Sequence, residues 1–175
     1  MEATPHITLR PYRVEDAPAL HEAVLSSVAE IRPFGSWCHA GLTLDDLRAW
    51  IEAQVQAYEN LSAFEHAIVA EGGALLGGCG LNQIDDVNRR ANLGYWVRSS
   101  ATRRGVATEA IRQLVEWAFA NTDLVRLEVL VAADNLASLR AAEKAGAVRE
   151  GVLRSRLLLH GTAHDAVLFS FVREA

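Results

Sequence analysis

The chain has 175 residues, 50% of them apolar and 22% charged, with 17 Lys+Arg against 22 Asp+Glu for a net charge of −5. That length fits a single domain over residues 1–175, and the composition excludes a chain that is mainly disordered. The acidic balance argues against a nucleic-acid partner, and the longest glycine-free apolar run, residues 129–133, is far short of the ~18 residues a membrane-crossing helix needs.

The opening Met1-Glu2-Ala3-Thr4-Pro5 has no basic region followed by an apolar stretch, so no secretory signal is expected and a reduced, cytoplasmic location is. Cys38 and Cys79 sit in unrelated contexts and form neither a disulfide framework nor a metal-binding pair. Residues 6–10 alternate and predict a short first strand. Residues 15–29 carry Ala17, Leu20, Val24 and Val28 at helical spacing. Pro33, Gly35 and Gly41 interrupt the chain around Trp37, which reads as an anchor holding this loop to the core. Thr43 and Asp46 form a capping box, opening a helix with Leu44, Leu47, Ile51, Val55 and Tyr58 on one face.

Periodicity then shortens. Residues 65–71 and 74–81 predict two strands joined at Gly72-Gly73, and residues 89–98 a third. A helix follows over 105–121 with Ala107, Ile111, Leu114, Val115 and Ala118 as its apolar stripe. Residues 126–131 alternate as a strand, 135–145 form a short helix stopped at Gly146, and 148–159 with 164–172 form two long closing strands. The strand–helix–strand segment over 89–131 implies a parallel crossover, and the meander before it implies antiparallel pairing. The predicted fold is a mixed, mostly antiparallel α/β sheet of about seven strands flanked by about four helices.

The richest stretch is Thr102-Arg103-Arg104-Gly105-Val106-Ala107-Thr108, between a strand and a helix. Free backbone N–H groups at a helix N-terminus favour an anion. Gly105 and Ala107 leave room for close approach, and two arginines suit phosphate. The stretch matches neither a Walker loop nor G-x-G-x-x-G, and it also reads as a solvated turn bearing two surface arginines. Further on, Asn135 and Ser138 open one helix, and Lys144 and Gly146 close it. Six histidines and scattered carboxylates predict no metal site.

These two stretches together resemble the acyl-CoA-binding core of the GNAT superfamily of N-acetyltransferases. Residues 102–107 fill its Gln/Arg-x-x-Gly-x-Gly/Ala loop, departing at Thr102. Asn135 and Ser138 match its Asn-x-x-Ser/Ala helix, and Lys144 and Gly146 its Lys-x-Gly ending. Leu9-Arg10-Pro11, Glu15-Asp16-Ala17, Ile84-Asp85, Leu93-Gly94-Tyr95-Trp96 and His164-Asp165 resemble more narrowly the RimJ/RimL-like branch, whose members acetylate protein N-terminal α-amines.

The resemblance implies acetyl-CoA as co-substrate, no metal, and a primary amine as acceptor, either a protein N-terminus or a small molecule. It implies that Val97, Arg103, Arg104, Gly105, Val106, Ala107, Thr108, Asn135 and Ser138 hold the cofactor. A homodimer is implied as well, since close relatives dimerise. Many members carry a Tyr seven positions after the Asn; here that position is Ala142, which leaves Ser138 as the hydroxyl for the leaving thiol. Asp85 occupies the place of the branch's carboxylate base. The stretch Asp85-Asp86-Val87-Asn88 also reads as a polar turn, and Glu65 and His66 are rival bases. The missing Tyr supports a second class of function, an acyl-CoA sensor without turnover, and succinyl-CoA is an alternative donor.

Overall fold

The computed structural model describes residues 6–174; the leader reading of Met1–Pro5 lies outside the described residues. Seven strands form one sheet: β1 (Ile7–Pro11), β2 (Phe64–Ala70), β3 (Leu75–Asp85), β4 (Arg90–Val97), β5 (Arg126–Ala132), β6 (Val148–Leu159) and β7 (Thr162–Val172). Their order is β1-β2-β3-β4-β5-β7-β6. All neighbours pair antiparallel except β4 with β5. The helices are α1 (Ala17–Leu25), α2 (Val28–Ile31), α3 (Leu44–Glu59), α4 (Val106–Asn121) and α5 (Leu136–Ala145).

The expected parallel crossover is there, and α4 supplies it. The alternation of each strand sends its apolar side chains to two separate cores. Leu81, Leu93, Leu127, Val129 and Phe169 pack with Ile111 and Leu114 of α4 and Ala142 of α5 on one face. Ala67 and Leu75 pack with Leu20 and Val24 of α1 and Leu47 and Ile51 of α3 on the other.

One expected helix is two. The periodic run over 15–29 breaks after Leu25, giving five α-helices where about four were expected. The fully buried Ser27 explains the break. Its hydroxyl donates to the Ala23 carbonyl at 2.7 Å, and its oxygen accepts from Ser99 N–H at 3.0 Å. A serine used this way competes with the helix ladder. It also ties α1 to the loop after β4, and Ser99 Oγ donates to Glu30 at 2.6 Å from the same loop. By contrast α3 begins where the capping box places it. Thr43 Oγ1 accepts from Asp46 N–H, and the Asp46 carboxylate accepts from Thr43 N–H.

Candidate active site

Parallel pairing between β4 and β5 is short. It joins Arg90, Ala91 and Asn92 to Arg126, Leu127 and Glu128, and then stops. Beyond Asn92 the facing edges of the two strands diverge, opening a fork through the sheet. Unpaired backbone edges of this kind offer hydrogen bonds to an extended ligand. Val97, the last residue of β4, lies on the splayed segment opposite Gly77.

The closed end of the fork is clamped by charge. Asp85 accepts from Arg90 Nε at 3.1 Å, and Arg90 reaches Glu128 at 3.0 Å. Arg126 then bridges Glu128 at 2.8 Å to Glu150, whose two oxygens it meets at 2.8 and 2.6 Å. Ser170 Oγ completes the chain, donating to Glu150 at 2.6 Å. The fork of Arg126, then Ser170, hold the Glu150 carboxyl down to about 2. A carboxyl lowered on folding adds stability above its unfolded pKa, ~4.3, and loses it as pH falls through about 2. Glu150→Gln should therefore cost stability at pH 6, within the ~0–1 kcal/mol usual for exposed pairs. In urea denaturation that difference should shrink as pH falls below ~4 and be largely lost by pH ~2.

Asp85 belongs to this clamp, and its contacts are those of the polar turn, one of its two expected readings. It accepts from Asn88 N–H at 3.0 Å, Asn88 Nδ2 at 2.9 Å and Arg90, so it anchors the polar turn between β3 and β4. Those bonds, Asn88's first, lower its pKa, the opposite of what a base requires. It also stands at the closed end of the fork. His66 is buried in the α4-side core beside Tyr58 and Trp117, with Nδ1 at 3.1 Å from the Phe64 carbonyl. Burial lowers its pKa, which favours the neutral imidazole of a core histidine.

At the open end, Arg98 donates to Glu22 at 2.7 Å, bracing the loop that leads into α4. Gly105 is the N-cap of α4 at φ 76°, ψ 0°, and no side chain caps that helix. The contrast with α3 and α5, whose caps are filled by Thr43 and Asn135, is direct. Arg103 (φ 61°) and Arg104 are exposed, and neither makes an ion pair among the described residues. Val106 is buried under the loop, while Ala107 and Thr108 are half-buried in the first turn. An uncapped first turn leaves its N–H groups free to bind an anion.

Across the fork, Asn135 caps α5, its Oδ1 accepting from Ser138 N–H at 3.2 Å. Ser138 Oγ lies 2.7 Å from Tyr95 Oη, and Tyr95 Oη also lies 3.0 Å from the Ser138 carbonyl, to which it can donate. Burial pushes the Tyr95 phenol up to about 12, against the hydrogen bond to Ser138. Sequence reasoning missed Tyr95 because this contact spans the crossover. Ala142 is fully buried in the core and offers no chemistry. Among the described residues no group of three His, Cys, Asp or Glu could hold a metal ion.

Residues 6–148 match the family model described as an acetyltransferase (GNAT) domain. Among curated proteins, the chain is 28% identical to "Putative ribosomal N-acetyltransferase YdaF" of Bacillus subtilis (strain 168), covering 96% of this chain and 92% of that protein. Among solved structures it is similar to the Microcin C7 self immunity acetyltransferase MccE in complex with acetyl-CoA and AMP, at 25% identity and a TM-score of 0.89, covering 95% of this chain and 92% of the other. A structure described as "Probable acetyltransferase" is 30% identical with a TM-score of 0.85, covering 96% and 93%. No helix among the described residues is long and apolar enough to cross a membrane.

Proposed function

The chain belongs to the acetyltransferase (GNAT) domain family, and from that premise we propose that it moves the acetyl group of acetyl-CoA onto a primary amine, a protein N-terminal α-amine or a small amine. The observation that carries this reading is the fork between β4 and β5 with the uncapped N-terminus of α4 at its open end. The pyrophosphate lies on the N–H groups at residues 103–108, and the pantetheine arm runs along the free edge of β4 past Val97. The arm delivers the thioester to the fork, where the amine attacks its carbonyl carbon directly.

As the tetrahedral adduct collapses, the C–S bond breaks and the thiolate takes a proton. Ser138 is the hydroxyl placed for this, held by Asn135 through its N–H and by Tyr95 through its oxygen. Asn135 therefore serves the site by fixing Ser138. We further propose that residues 1–175 act as one domain, in the cytoplasm, as a homodimer. The hydroxyl pair favours turnover over the sensor reading, which rests on Ala142. Steady-state assay of acetyl-CoA, and of succinyl-CoA, with N-terminal peptides and small primary amines tests the function. CoA binding without turnover of any amine would establish a sensor.

The arginines give a further check. Replacing Arg103 and Arg104 together by Ala should weaken CoA binding by about tenfold at low ionic strength, with less effect in high salt, because exposed charge is screened. Calorimetric titration at two salt concentrations reads this out, and an affinity equal to wild type at low salt would remove both side chains from the site.

A further inference from the structure

Strand β3 carries Gly77, Gly78 and Gly80, an arrangement that weakens a strand unless something must come close. At Gly80 the reason is visible, since a Cβ there would fall on the carboxylate of Glu65. Glu65 is opposite Gly80 in the β2–β3 register, and Gly80 is opposite Gly94 in the β3–β4 register. The Glu65 side chain therefore lies across β3. With strands ~4.8 Å apart, its carboxylate stands about 5 Å from the backbone of Gly94.

Gly94 is two residues past Asn92, where β4 leaves β5, so it lies on the lip of the fork. A Cβ built on Gly94 would come no nearer than 4.0 Å to any atom outside its neighbours, so this floor is open. Glu65 Oε1 accepts from Asn82 Nδ2 at 3.2 Å, and Asn82 Oδ1 in turn accepts from Asn92 Nδ2 at 2.9 Å. Asn82 is the only hydrogen-bond partner of the carboxylate among the described residues. Glu65 also lines a cavity of about 120 Å³ with Tyr12, Gln54 and Tyr58, which links it to solvent.

Ser138 and Tyr95 reach the fork from the α4–α5 face, and Glu65 lies on the opposite face. We propose that Glu65, held over Gly80 one strand away from Gly94, is the base that takes a proton from the acceptor's ammonium, on the side of the fork away from the leaving thiol. The inference rests on the amine-acetylating reading above and gives it a direction. The ammonium transfers one proton to Glu65, and its nitrogen lone pair forms the C–N bond. The C–S bond then breaks, and the second nitrogen proton balances the one received by the thiolate. Glu65 returns its proton to water through the cavity.

The groups facing Glu65 are consistent with that task. They are Tyr12 after β1, Tyr58 and Glu59 from α3 and Asn82 from β3, and Glu59 is the only other carboxylate among them. Among the described residues no cation forms an ion pair with the Glu65 carboxylate. Burial raises the Glu65 pKa, partly offset by Asn82, which narrows the gap to an α-ammonium at ~7.7–8.0.

The test is a pH–rate profile of kcat/KM from pH 6 to 9.5 for wild type, Glu65→Gln and Glu65→Asp, using the best amine of the peptide and small-amine panel. Gln keeps the shape and the bond from Asn82. For an α-amine, about a tenth of which is neutral at pH 7, Glu65→Gln should lose about tenfold there and less than twofold at pH 9. Glu65→Asp should keep the wild-type profile shape at a reduced rate, and the CoA affinity of both variants should match wild type. A loss that stays constant across pH, or no loss at all, overturns the role of Glu65 while leaving the acetyltransferase reading intact. Absence of wild-type turnover with every amine overturns both.

Discussion

Ser138→Ala should lower kcat by about 10²–10⁴-fold, the range for a lost general acid, with the KM for acetyl-CoA nearly unchanged. The thiolate forms only as the C–S bond breaks, so a proton donor placed for it acts on the transition state and not on binding. Tyr95→Phe should cost less, about tenfold, because the phenol holds the serine oxygen at 2.7 Å and does not itself meet the sulfur. Its raised pKa fits a group that orients a proton and keeps its own. Residues acting through one another are not additive, so the double variant should be no slower than Ser138→Ala alone. Steady-state kinetics of the three variants decide this. A double variant slower by the product of the two single effects would mean that Tyr95 and Ser138 work independently, and a wild-type kcat for Ser138→Ala would remove it from the mechanism.

The elements were legible because each carried its own period. The capping box of α3, the glycine turn before β3, the apolar stripe of α4 and Gly146 after α5 all act within a few residues, and local rules read them. The parallel β4–β5 pair was legible at one remove, since a helix between two strands must return the chain. Three things were not. The break after Leu25 depends on Ser99, whose N–H meets the Ser27 hydroxyl 72 residues earlier in the chain. The Tyr95–Ser138 contact spans 43 residues and exists only once the crossover is made. The role of Asp85 turned on partners: Asn88 was near enough to suspect a turn, whereas the Arg90–Glu128–Arg126 chain required the sheet register. For Glu65 a signal was present in the three glycines of β3, which mark a strand that something crosses closely.

The functional side chains thus come from the two faces of one sheet, and the fork between β4 and β5 is where they meet. This explains why the open end needs so much bracing. Ser27, Glu22 and Glu30 hold the loop after β4 from the α1–α2 side, and the charge clamp holds the closed end. A ligand lying along the fork meets a rigid frame, and rigidity at a binding edge reduces the ordering cost of association.

Gly105 is the position where that frame and the ligand make opposite demands on one residue. Its backbone sits at φ 76°, ψ 0°, a left-handed geometry that opens α4. A β-branched residue there costs about 1–3 kcal/mol in strain. A side chain there would also crowd the turn whose N–H groups are proposed to hold the pyrophosphate, and hydrogen bonds to a charged group are worth ~1.5–3 kcal/mol each. Losing two of them amounts to about 3–6 kcal/mol, or about 10²–10⁴ in affinity. Gly105→Val should therefore lower CoA affinity by at least about a hundredfold while the protein stays folded. Gly105→Ala, with a smaller obstruction, should fall between Val and wild type. Thermal denaturation and calorimetric titration with CoA separate the two effects, because strain appears in the melting midpoint without ligand and the blocked approach only in binding. A Gly105→Val protein that melts lower but binds CoA like wild type would show that the pyrophosphate is held away from the first turn of α4.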